Sequence, residues 1–79
     1  MENEYVIIKY LNDDIKILKY ISESNNQFNN RLIFMSKLEN KNINYKEALR
    51  LSKIWFSIKY KKCTYSYEIY NYVMQYDNL

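Results

Sequence analysis

No glycine and no proline punctuate this 79-residue chain. Every turn and helix end that needs a left-handed backbone must therefore be built by a residue carrying a Cβ, and asparagine tolerates that conformation best. Asparagine is abundant, with eleven copies, and it clusters at Asn25–Asn26 and at Asn40–Asn44. Those two places read as joints between elements. The missing glycine also excludes a phosphate-cradling P-loop, a GxGxxG dinucleotide turn and a G-x-S-x-G nucleophile elbow, all of which need backbone that only glycine supplies.

Histidine is absent as well, which removes Ser-His and Cys-His pairs and every imidazole metal ligand. The single cysteine, Cys63, can form neither an internal disulfide nor a thiolate zinc site. It reads as a small, half-buried hydrophobe in a reducing compartment. Asp13-Asp14 is the one adjacent carboxylate pair; without further ligands or a base it reads as helix N-terminal charge. No catalytic group, metal or cofactor is expected, so the chain reads as a non-enzymatic module.

The scarce residues (Gly, Pro, Ala, Arg) have GC-rich codons, and the abundant ones (Asn, Lys, Ile, Tyr) have AT-rich codons. An AT-rich genome, such as that of a phage or a large DNA virus, accounts for both trends. The ten tyrosines are discounted accordingly. The opening MENEYVIIKYLNDD carries acids where a signal peptide needs cations, and no apolar run nears the eighteen or so residues of a membrane span. The expectation is an intracellular protein, in cytoplasm, nucleus or virion. A domain this short buries only about 60% of its unfolded surface, so its stability is marginal, and self-association or a larger assembly would add to it.

Apolar spacing predicts an all-α fold of three to four short helices in one domain, residues 1–79, with helices at about 14–22, 25–39, 45–61 and 66–76. Ile7, Leu11, Ile15 and Leu18 recur at helical intervals. The run Tyr5-Val6-Ile7-Ile8 is β-branched and aromatic, so residues 4–11 are read as helix or short strand. Ser24 with Gln27 and Asn44 with Glu47 fit capping boxes, and Ile43 is placed to staple onto Ala48. The expected core is Phe28, Leu32, Met35, Leu51, Trp55, Ile58, Ile69 and Val73.

Charge is uneven: residues 1–40 carry net −1 and residues 41–79 net +4. On the helix expected at 45–61, Ala48, Leu51, Trp55 and Ile58 share one side while Lys46, Arg50, Lys53 and Lys61 share the other. With Lys59 and Lys62 these form a basic face that suits a nucleic-acid backbone, an acidic protein surface, or plain solvation. Tyr65, Tyr67, Tyr70, Tyr72 and Tyr76 form the densest aromatic group, and the first four are the expected interface anchors, because exposed tyrosines bury large area with few rotamers to freeze.

The stretch RLIFMSKLENKNINYKEALRLSKIWFSI, residues 31–58, resembles the helix 1–helix 2 portion of an HMG-box-like DNA-binding domain. Phe34, Asn42, Tyr45, Glu47 and Trp55 match that family in type and order, with one residue fewer between Glu47 and Trp55. The resemblance implies DNA contact without strong sequence preference. The first expectation is therefore non-specific nucleic-acid binding through Lys46, Arg50, Lys53, Lys59, Lys61 and Lys62. The alternative is a protein–protein module using the tyrosine-rich C-terminus and the basic helix.

Overall fold

The computed structural model describes residues 4–79; the first three residues of the acidic opening lie outside that range. It is an α+β fold, which corrects the all-α expectation. Strand β1 (Tyr5–Tyr10) pairs antiparallel with β2 (Asp13–Leu18), and helices α1 (Asn25–Asn40), α2 (Tyr45–Lys61) and α3 (Tyr67–Asp77) follow. The helix expected at 14–22 does not form. Its apparent stripe belongs to a hairpin in which side chains alternate between faces. Val6, Ile8, Tyr10, Ile15 and Ile17 point inward to the core, and Tyr5, Ile7, Lys9, Asp14, Lys16 and Leu18 point outward. Residues Asp13 and Asp14 thus open a strand rather than a helix, and the Asp14 carboxylate pairs with Lys9 at 2.8 Å across the sheet.

The hairpin turns on two residues, Leu11 (φ 47°) and Asn12 (φ 72°). Two positive φ values are what the tightest hairpin loops require, and they match the right-handed twist of the strands. Asparagine adopts this backbone easily; leucine does so at a steric cost. Tertiary bonds hold the site. The Leu11 N–H donates to Glu39 Oε2 at 2.8 Å, and the Tyr10 hydroxyl donates to the Ile43 carbonyl at 2.6 Å. Burial, and next the nearby Glu39 charge, push the Tyr10 hydroxyl up to about 12.

Ser24 and Gln27 form the complete capping box at the start of α1. At α2 the Asn44 side chain accepts from the Glu47 N–H, but the Glu47 carboxylate turns to Arg50 instead of reaching back. Ile43 packs against the core cluster that contains Ala48. Asn42 (φ 59°) takes the left-handed position after α1, whereas Lys62 (φ 56°) takes it at the end of α2.

Phe34 stacks on Trp55 at 4.9 Å, and Met35, Leu38, Ala48, Leu51, Phe56 and Val73 close around them with Tyr10 and Ile17 from the hairpin. Of the expected core, Leu32 and Ile58 are only partly covered, and Ile69 lies at 39% exposure at the edge of α3. One buried ion pair joins the layers. Arg31 donates through Nε and Nη2 to the Glu23 carboxylate at 2.7 and 2.9 Å, and through Nη2 to the Leu18 carbonyl at 2.6 Å. Its guanidinium lies 4.0 Å from the Tyr20 ring centre, and Glu23 accepts from the Tyr20 N–H at 3.0 Å. Among the described residues no buried side-chain nitrogen or oxygen lacks a hydrogen-bond partner, the condition under which a buried ion pair is tolerated.

Candidate binding face

Helix α2 packs against α1 and α3 and buries Ala48, Leu51, Ser52, Trp55 and Phe56. At about 100° per residue, Lys46, Arg50, Lys53 and Lys61 project within about 80° of one another on its exposed side. Lys62 follows as the exposed C-terminal cap. Lys59 does not share that face. It projects roughly 160° away, toward the end of α3, where its ammonium pairs with Asp77 at 3.0 Å. The same carboxylate accepts from the Trp55 indole N–H at 2.8 Å, and Lys37 donates to the Asp77 carbonyl at 3.0 Å. Burial raises the Asp77 carboxyl, but the bonds from Lys59 and Trp55 and the charges of Lys59 and Lys37 outweigh it and hold the group low.

Arg50 is on the face but already engaged. Its guanidinium grips Glu47 one turn back at 2.6 and 3.1 Å. Arg50 holds the Glu47 carboxyl below its ordinary range chiefly through that hydrogen bond, against the opposing effect of burial. Tyr72 of α3 stands beside this pair. Among the described residues, Lys46, Lys53, Lys61 and Lys62 take part in no ion pair.

The hairpin supplies a cation that helical periodicity could not reveal. Lys16 of β2 joins Arg50 and Lys53 around a groove of about 350 Å³, whose remaining lining is Ile17, Leu18, Tyr20, Arg31 and Leu49. The Lys16 ammonium also sits 4.3 Å above the Tyr5 ring. Around the corner, the outer face of the sheet leaves Tyr5 (53%), Ile7 (57%) and Leu18 (46%) exposed, and Ile21 beyond β2 is 91% exposed. The β-branched run Tyr5–Ile8 and the alternation Ile15-Lys16-Ile17 were the signals that could have located both Lys16 and this apolar face.

The four tyrosines do not converge. Tyr65 is half-buried between α2 and α3, while Tyr67, Tyr70 and Tyr72 are exposed on different sides of α3. Tyr67 and Tyr72 point roughly 140° apart. Tyr72 packs edge-on against Tyr76 at 5.9 Å. Cys63, expected to be half-buried, is exposed.

Among the described residues no group of His, Cys, Asp or Glu is arranged to hold a metal ion. No helix of the described residues is long and apolar enough to cross a membrane. Neither family models, nor curated proteins, nor solved structures match this chain. The HMG-box-like order of residues 31–58 therefore rests on the sequence alone.

Proposed function

We propose that this chain is a non-enzymatic binding module that takes an acidic segment of a protein partner against the exposed side of α2, inside a cell or virion. One observation carries the reading: Lys16, Arg50 and Lys53 ring a groove whose apolar lining includes the exposed Leu18 and the half-buried Leu49, with the core residue Ile17 beneath them. A phosphate backbone needs cations but has no use for apolar walls, whereas a peptide carries both carboxylates and side chains to bury. The exposed Tyr5, Ile7, Leu18 and Ile21 extend the apolar surface next to those cations. Unbonded Cys63 fits a reducing compartment.

A second reading, non-specific nucleic-acid binding, draws on Lys46, Lys53, Lys61 and Lys62, which lie along about 24 Å of helix, and on the HMG-box-like order of residues 31–58. Four neutralised phosphates would give a log–log salt slope of roughly −4 on duplex DNA. Titrating fluorescent poly-glutamate and duplex DNA across a salt series separates the two. The protein reading expects poly-glutamate to bind and a K46E/K53E/K61E variant to lose at least about tenfold. Tighter binding of DNA with the full salt slope overturns it in favour of the second reading. No binding of either polyanion ends both.

A further inference from the structure

Building on the acidic-partner reading, we infer that the partner binds in extended form, as a third strand added to the outer edge of β2, with its carboxylates set against Lys16, Arg50 and Lys53. The pairing of the hairpin decides which main-chain groups face outward. The Lys19 N–H donates to the Glu4 carbonyl, so Glu4 and Lys19 are a hydrogen-bonded pair of the ladder. Such pairs alternate along antiparallel strands. Val6 with Ile17, Ile8 with Ile15 and Tyr10 with Asp13 are therefore the other bonded pairs. It follows that Asp14, Lys16 and Leu18 turn their N–H and C=O groups away from β1, along the free edge of the sheet.

The Leu18 carbonyl agrees with that direction, because it accepts from Arg31 on α1. Among the described residues, nothing else hydrogen-bonds the outward groups of Asp14 and Lys16 or the Leu18 N–H. The edge borders the groove that β2 shares with Leu49, Arg50 and Lys53 of α2. An unpaired strand edge beside a helix is a recurring peptide-binding geometry: main-chain bonds supply affinity, and alternate side chains supply specificity.

Charge selects the occupant. A lysine on a strand edge deters pairing with another basic chain, and this chain carries a net charge of +3. A second copy adding at β2 would bring its own Lys16 against the first. An acidic strand meets Lys16 on the outer face, and Arg50 and Lys53 on the helix side.

The test uses the full chain, labelled with ¹⁵N, and a short peptide alternating glutamate and valine as the probe. The expected result is altered resonance positions and slowed hydrogen exchange at the amides of Asp14, Lys16 and Leu18. Methylating alternate backbone nitrogens on one edge of the peptide should weaken binding at least about tenfold, at unchanged charge. K16E/K53E should weaken the unmodified peptide by a similar factor while its spectrum stays folded. If the peptide binds but ignores backbone methylation and leaves those three amides unperturbed, strand addition is wrong and the acidic-partner reading survives. If neither this peptide nor poly-glutamate binds, both fall. Competition in which duplex DNA displaces the peptide from the same amides at far lower concentration overturns both in favour of nucleic acid.

Discussion

Substituting Arg31 by methionine tests the physical account of how the hairpin is held to the helices. The Arg31–Glu23 side chains are 2% and 0% exposed, so the loss of the cation leaves a carboxylate with no counter-ion and little water. Breaking a buried pair from one side costs about 3–5 kcal/mol. A domain of this size has a total stability of roughly 4–12 kcal/mol, so R31M should lose a large share of it and approach unfolding at the low end. The double variant E23L/R31M removes the stranded charge and leaves the Leu18 carbonyl and the Tyr20 N–H without their partners, but both bonds are only part-buried, so water can replace them at less than the about 1–3 kcal/mol each that full burial would cost. It should fall between R31M and the parent chain. Urea unfolding followed by the fluorescence of Trp55, the one tryptophan, gives all three values. An R31M cost below about 1 kcal/mol, the range of exposed ion pairs, would refute the argument. So would a double variant less stable than R31M.

Two predictions concern pH. The Tyr10 hydroxyl, raised to about 12, contributes stability that is complete below the ordinary tyrosine range near 10 and is lost as pH climbs through about 12. Each tenfold gain in proton affinity is worth about 1.4 kcal/mol. The loss is then on the order of 2–3 kcal/mol, and Y10F should flatten that alkaline limb of the unfolding curve. Asp77 has the opposite sign: its carboxyl is held low by the bonds from Lys59 and Trp55 once burial is overcome. Its contribution is therefore present above the ordinary aspartate range and disappears as pH falls through its lowered value. D77N should abolish that part of the acid dependence, measured by denaturant midpoints at successive pH values, and an unchanged acid limb would contradict the assignment.

The helices were legible in the sequence because their signals are local. Ser24 and Gln27 sit at the spacing of a capping box, and Phe28, Met35 and Leu38 recur at helical intervals, so α1 starts one residue after its cap as expected. The hairpin was not legible in the same way. Ile7, Leu11, Ile15 and Leu18 happen to recur at helical spacing, and the turn lacks the Asn-Gly or Asp-Gly pair that marks a two-residue loop. Leu11 adopts a positive φ where Glu39, 28 residues away, captures its N–H. No window of the sequence contains that constraint. The basic face divides along the same line. Lys46, Arg50, Lys53 and Lys61 share a side by periodicity alone, and Glu47 lies at the three-residue spacing that lets it engage Arg50. The pairing of Lys59 with Asp77 and the arrival of Lys16 beside Lys53 depend on how α3 and the hairpin dock.

The hairpin also changes what the basic face can select. A lone amphipathic helix presents cations on a convex ridge, where any polyanion can approach from any side and affinity depends chiefly on salt. With β2 alongside, one flank of α2 becomes a groove with a polar main-chain edge, an apolar lining and cations on both walls. Arg31 already occupies the Leu18 carbonyl, so an added strand can use only the outward groups of Asp14 and Lys16 and the Leu18 N–H. Those few bonds, at about 0.5–1.5 kcal/mol net each, cannot by themselves hold a flexible peptide against its ordering entropy. The remainder has to come from carboxylates facing Lys16, Arg50 and Lys53, together with side chains buried against Leu18 and Leu49. Discrimination then lies in the order of charge and apolarity along the partner, a pattern that the uniform charge of duplex DNA does not carry.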